Sequence, residues 1–107
     1  MIFENVLIYY NDKSRLFKRQ NVGILELCDT ELKLHHSDYS KTVNYNDITS
    51  VELKGGLVLV NIDYVSITLK NRDFYNLKYL YTNFREKTEA EKKTKLLLRM
   101  IVERIKQ

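Results

Sequence analysis

Apolar and polar residues alternate along much of the segment 22–69. In the last of these runs Val65, Ile67 and Leu69 are separated by single polar residues. Successive side chains of a β-strand point to opposite faces, so each run has one apolar face and one polar face. This pattern predicts antiparallel strands that turn one face to a core and the other to water.

The alternation and the turn-forming residues between the runs predict about seven strands within residues 5–81. The clearest ones occupy residues 6–10, 23–28, 32–34, 42–45, 49–53, 65–70 and 74–79. Short polar segments that favour turns separate them, and residues 35–41 read as a polar loop. Gly23 opens the second strand, where a missing Cβ permits a bulge or a close backbone approach.

The C-terminal segment has a helical period instead. Apolar residues recur there at steps of three and four, at Ala90, Leu97, Leu98, Ile101, Val102 and Ile105. This stripe predicts one amphipathic helix over about residues 84–106. Thr88 and Glu91 have the spacing of a capping box, which offers Thr88 as an alternative start of the helix. The expected fold is α+β and mainly β, a bent antiparallel sheet or small barrel that the helix caps.

The order of these segments resembles the GRAM and bacterial pleckstrin-homology-like families. Those families have a strand followed by a G-x-L-x-L-T-x-x-x-L hairpin, and this chain has GILELCDTEL at residues 23–32. They continue with I-x-Y-x-D-I-x-x-V, which VNYNDITSV matches at residues 43–51. Cys28 stands where threonine is usual, and residues 71–73 lack the usual glycine. The resemblance implies a non-catalytic module that binds membranes or proteins.

Length and composition indicate one ordinary globular domain spanning residues 1–107. Hydrophobic residues make up 44% of the chain and charged residues 30%, which is not the composition of a disordered protein. The single cysteine excludes an internal disulfide. The chain contains no run of about 18 apolar residues, so no membrane-spanning segment is predicted. We therefore expect a cytoplasmic protein, peripheral at the membrane if it binds lipid. The residue usage is compatible with an AT-rich microbial or phage genome.

The chain is mildly basic, with a net charge of +4, and four of its positive charges lie together in one segment after the first strand. Its sequence, KSRLFKRQ at residues 13–20, contains Lys13, Arg15, Lys18 and Arg19 and no acidic residue. In pleckstrin-homology domains that bind phosphoinositides, basic residues of this loop hold the phosphates. The four side chains are therefore candidate ligands for anionic lipid headgroups, because cationic forks match phosphate oxygens. The alternative is a solvated loop.

A glycine pair precedes an apolar run at residues 57–62. This run fits either a strand buried on both faces or an exposed hydrophobic loop. In the second case Leu57 and Leu59 are candidate contacts for a protein partner or for a second copy of the chain.

Metal and catalytic chemistry find little support in the residue pattern. His35, His36 and Asp38 are close in sequence, but adjacent strand residues point to opposite faces and do not share one ion easily. Cys28 has no basic neighbour in sequence that would activate its thiol. We therefore expect no metal site, no cofactor and no enzymatic activity.

Eight tyrosines are many for this length. Tyr75, Tyr79 and Tyr81 beside Lys78 could stack nucleic-acid bases, but tyrosine is also common in strands and interfaces. The sequence favours the packing role over nucleic-acid binding. We expect a binding module for a protein partner, with anionic lipid as the main alternative. An exposed sheet edge beside the helix could add a peptide strand.

Overall fold

The computed structural model describes residues 1–11, 22–36, 39–55, 64–80 and 84–106. These residues form seven strands, one short 3₁₀ turn and one long helix. In chain order they are β1 (Ile2–Tyr10), β2 (Val22–Leu27), β3 (Glu31–His36), β4 (Ser40–Asn44), the 3₁₀ turn (Tyr45–Asp47), β5 (Ile48–Lys54), β6 (Tyr64–Leu69), β7 (Phe74–Tyr79) and α1 (Phe84–Ile105). The predicted fold class, mainly antiparallel β with one C-terminal helix, is confirmed.

The seven strands form one antiparallel sheet in the order β4-β3-β2-β1-β7-β6-β5. β4 and β5 lie at opposite ends of this order although only the 3₁₀ turn separates them in the chain. In a flat sheet the two end strands would be about 29 Å apart, at roughly 4.8 Å per strand. The connection between Asn44 and Ile48 spans at most about 15 Å. The sheet therefore curls into a half-barrel.

The concave face of the half-barrel holds the main core. Alternate strand residues supply it, as the period of two in the sequence predicts. Leu97 and Ile101 of α1 close the core from the open side. The buried strand residues on this face are Phe3, Val6, Ile8, Leu25, Leu27, Leu32, Leu34, Val43, Val65, Ile67, Tyr75 and Leu77.

The helix packs across β5, β6, β7 and the 3₁₀ turn. Thr94, which is 2% exposed, connects it to the end of β7. The backbone N–H of Tyr79 donates to Thr94 Oγ1 over 3.2 Å, and this hydroxyl donates to the carbonyl of Ala90 over 2.8 Å. Thr94 can lie inside the apolar stripe because its hydroxyl both accepts and donates a hydrogen bond, so burial leaves neither role unsatisfied.

Two predicted boundaries were wrong. β1 begins at Ile2, before residue 5, because its first residues pair with β2. The segment 35–41 is not all loop, since β3 continues to His36 and β4 begins at Ser40. Pairing between strands extends β1, β3 and β4 beyond what local signals indicate. The helix begins at Phe84, as its predicted range states, so the capping-box pair lies inside its first turns rather than at its start.

Gly23 confirms the prediction of a close backbone approach. It lies in β2 between Val6 of β1 and His36 of β3. A Cβ at this position would overlap the backbone carbonyl oxygen of His35 and come within 2.8 Å of Cδ1 of Ile8. The three strands therefore pack together here only because residue 23 has no side chain.

β1 contains a bulge at the point where its pairing with β7 begins. Its register with β2 shifts between Phe3 and Val6, and Asn5 has a φ of 57°. Asparagine tolerates this left-handed conformation better than most residues. β7 pairs with β1 from Val6 onward, and the Leu80 N–H donates to the Asn5 carbonyl over 2.9 Å. The bulge thus separates a first half of β1 from a second half that has strands on both sides.

Candidate functional site

The sequence-predicted binding residues lie outside the described residues. They comprise the basic segment and the apolar run, namely Lys13, Arg15, Lys18, Arg19, Leu57 and Leu59. Their roles in lipid or partner binding stay predictions. Among the described residues, the end strands of the sheet are the features that could accept a partner.

β5 forms one open end of the sheet. β6 pairs with one side of it, from Ile48 opposite Leu69 to Lys54 opposite Tyr64. Among the strands that the structure describes, none pairs with its other side. A strand in this position presents backbone N–H and C=O groups that can accept another strand.

A groove runs between this edge and the C-terminal half of α1. It encloses about 230 Å³ and is lined by Ile48, Thr49, Ser50, Val51, Val102, Ile105 and Lys106. Val102 and Ile105 form an apolar wall on the helix side. Lys106 places one cation at the end of the groove. The groove can therefore hold apolar side chains while the strand edge satisfies a backbone.

The other end of the sheet is protected. β4 is only five residues long, and four of its side chains are exposed and polar. One of them, Lys41, has its ammonium 5.3 Å from the ring centre of Tyr10. Short, polar, lysine-bearing edges disfavour pairing with another strand. β5 is longer, at seven residues, and although Glu52 and Lys54 are exposed near its end, Ile48 and Val51 in its first half are half-buried. The first half of β5 is therefore the better acceptor.

A polar network ties the end of β1 to the turn before β7. Asp73 accepts hydrogen bonds from the Tyr10 hydroxyl at 2.7 Å and from the Asn11 side chain at 3.1 Å. Both hydrogen bonds lower the pKa of Asp73, and the one from Asn11 has the larger effect. A hydrogen bond from the Asn71 side chain lowers it further, by less. The bond to Asp73 in turn raises the pKa of Tyr10. Each group is paired within the network, so its role is structural.

The two adjacent histidines contact different groups. His35 Nε2 lies 3.4 Å from Glu26 Oε1, whereas the His36 ring stacks on Tyr39 at a centroid distance of 4.7 Å. Within the described segments no cluster of three or more His, Cys, Asp or Glu side chains could hold a metal ion. Cys28 is half-buried at the hairpin between β2 and β3. Its backbone carbonyl accepts a hydrogen bond of 2.7 Å from the Tyr45 hydroxyl.

Tyr75 and Lys78 do not form a base-stacking surface. Both are 3% exposed, and the Tyr75 ring stacks on Tyr10 at 4.9 Å. Burial raises the pKa of Tyr75 and of Tyr79 to about 12. Burial also lowers the pKa of Lys78 to about 8, although Glu91 acts in the opposite direction.

These shifts predict how stability depends on pH. Between about pH 8 and pH 10 the unfolded chain binds a proton at Lys78 that the folded protein has released, so the free energy of unfolding rises with pH. Above about pH 10 the unfolded chain loses the protons of Tyr75 and Tyr79 while the folded protein keeps them, so stability falls. We expect a rise of about 2 kcal/mol, followed by a maximum near pH 10.

Urea unfolding across this range measures the effect. Lys78→Met should abolish the rise, whereas Lys92→Met, at an exposed position of α1, should leave it intact. A rise that persists in Lys78→Met would contradict the assignment to this residue.

Sequence reasoning missed the walls of the groove beside β5. Val102 was assigned to the buried stripe, but it is only half-buried and lines the groove. Thr49 and Ser50 carried no functional signal in the sequence. The position of β5 at the end of the sheet depends on long-range strand pairing, which no local pattern encodes.

The described helix is not long and apolar enough to cross a membrane. No protein-family model matches the chain, and a search of curated proteins finds no similar sequence.

Proposed function

We propose that this chain is a non-catalytic, pleckstrin-homology-like module that binds an extended segment of a partner protein. The segment adds as a strand to the open edge of β5 and places side chains in the groove beside α1. The sequence resemblance, the curled seven-stranded sheet and the C-terminal helix support this assignment.

The observation that carries the proposal is the open edge of β5 next to an apolar helix wall. Strand addition uses backbone hydrogen bonds for affinity and pockets for alternate side chains for specificity. Here the edge supplies the backbone groups, and Val102 and Ile105 supply one apolar surface. A segment with apolar residues at every second position fits both features.

The small groove indicates a weak or transient interaction. Each backbone hydrogen bond contributes about 0.5–1.5 kcal/mol net, and ordering the partner segment offsets part of this gain. A weak interaction of this kind suits a module that recruits a partner reversibly. Binding of anionic lipid through the basic segment at residues 13–19 remains the alternative expectation, and no described residue adds support to it.

The test compares two glutamine variants of adjacent helix residues. Val102→Gln puts a polar side chain into the groove wall, whereas Glu103→Gln introduces the same side chain at an exposed position outside the groove. The immobilised full chain and both variants are incubated with lysate, and captured proteins are quantified by mass spectrometry. We expect at least one protein that the original chain and Glu103→Gln retain and that Val102→Gln loses.

Two results would contradict the proposal. One is a set of captured proteins that does not change in Val102→Gln. The other is salt-sensitive binding to phosphatidylserine vesicles, equal in all three proteins, without any captured protein. This second result would favour the lipid alternative, because that prediction depends on residues outside the groove.

A further inference from the structure

The second half of β5, residues 52–54, is exposed although it belongs to the sheet. β6 pairs with one side of it, as far as Lys54 opposite Tyr64. Among the strands that the structure describes, none pairs with its other side. The groove beside α1 is lined on β5 by residues 48–51, so this half of the strand edge lies outside the groove.

The side chains of this half divide between the two faces of the sheet. Leu53 lies opposite Val65, which is fully buried in the core, so Leu53 belongs to the concave face. It is nevertheless 37% exposed. Glu52 and Lys54 belong to the convex face, where the Lys54 ammonium lies 4.0 Å from Glu52 Oε2. The strand edge therefore presents one apolar side chain on one face and two opposite charges on the other.

The order of these three residues is complementary to itself when it is reversed. In an antiparallel pair centred on Leu53, Leu53 of one copy lies opposite Leu53 of the other. Glu52 of each copy then lies opposite Lys54 of its partner. Directly opposite residues have Cβ atoms about 4.5–5.5 Å apart, which permits both apolar and ionic contacts. A two-fold axis repeats each contact, so the arrangement gains two ion pairs and one contact between leucines.

The same charges disfavour most other strands. Charged side chains near the edge of a sheet protect it against pairing with an arbitrary strand. A foreign strand fits this half of β5 only if it places a cation opposite Glu52, an anion opposite Lys54 and an apolar residue between them. A second copy of the chain meets this requirement in full.

From this charge complementarity we infer that two copies of the chain associate through the second half of β5. The two strands pair antiparallel about a two-fold axis at Leu53, which joins the two sheets edge to edge. The contact involves residues 51–55 of each copy, far fewer than the about 20–30 residues that each side of a stable interface contributes. The dimer is therefore weak and reversible. The inference rests on the same open strand as the proposed function, but it requires neither the groove nor a foreign segment.

Sedimentation equilibrium of the full chain tests the association, between about 10 μM and about 1 mM protein at about 0.15 M salt. We expect a dimer that forms as the concentration rises. Glu52→Lys and Lys54→Glu should each weaken it about tenfold or more, since each variant places like charges opposite one another at two positions. Glu89→Lys and Lys92→Glu make the same charge changes at exposed positions of α1 and should change the dissociation constant less than about twofold.

Charge exchange between the two copies tests the register. An equimolar mixture of the Glu52→Lys and Lys54→Glu variants should form a heterodimer, because every lysine at these positions then lies opposite a glutamate. The double variant Glu52→Lys/Lys54→Glu should dimerise like the original chain for the same reason. A chain that stays monomeric at about 1 mM would overturn the inference. It would also be overturned by single variants that dimerise normally, or by a mixture and a double variant that both fail to associate.

Val102→Gln separates this inference from the proposed function. This variant should dimerise like the original chain, although it should lose the captured partner protein. A dimer without any captured protein supports the inference and counts against the proposed function. A monomeric chain that captures a partner through the groove has the opposite meaning.

Discussion

Leu97→Ala is expected to lower the free energy of unfolding by about 3 kcal/mol or more. The Leu97 side chain is fully buried in the core between α1 and the sheet. Truncation removes the transfer free energy of its methyl and methylene groups and leaves a cavity that close-packed neighbours fill only in part. Because α1 closes the open side of the half-barrel, the loss affects the packing of the whole domain.

The neighbouring residue provides the control. Leu96 is the same residue type in the same helix but is 42% exposed. Leu96→Ala should therefore change stability by only about 0.5 kcal/mol. Urea unfolding of both variants gives the comparison, provided that the slope with denaturant stays constant. Equal losses in the two variants would mean that the buried face of α1 has been assigned incorrectly.

Gly23→Ala is expected to destabilise the domain by about 3 kcal/mol or more, an unusually large effect for adding one methyl group. The new Cβ would overlap the carbonyl oxygen of His35, which is backbone and does not rotate away. It would also crowd Ile8 in the core. Relief requires β2 to separate from β3, so hydrogen bonds of the central sheet are lost together with packing.

Gly55→Ala serves as the matched substitution. Among the described residues other than its chain neighbours, none has an atom within 4 Å of the position that a Cβ on Gly55 would take, so this variant should be close to neutral. Thermal or urea unfolding distinguishes the two glycines directly. Full stability of Gly23→Ala would show that β2 and β3 are not in close contact at this point.

The elements that the sequence predicted well are those whose signal is local. The alternation in residues 65–69 predicted β6, and Leu97 and Ile101 predicted the face of α1 that is buried. Gly23 was also informative, since a lone glycine in a strand marks a close approach. These signals depend only on the geometry of a single strand or helix.

Other features followed from packing between distant segments. Thr88 and Glu91 have capping-box spacing, yet α1 begins four residues earlier, at Phe84. His35 and His36 looked like loop residues but pair with β2 as part of β3. Lys78 is a charged residue by type and nevertheless is buried. Tertiary packing overrides local preference at the two histidines and at Lys78.

Local periodicity was enough to predict the fold class, about seven strands, the helix and most of its buried face, because side chains repeat every two residues in a strand and every 3.6 in a helix. The pairing of β1 with β7, the position of β5 at the end of the described sheet and the place of Val102 in a groove are visible only in the folded chain. The same holds for the hydrogen bond between Tyr10 and Asp73, which are 63 residues apart. Strand order depends on which distant surfaces pack most favourably together, and the free energy of that choice belongs to the whole chain.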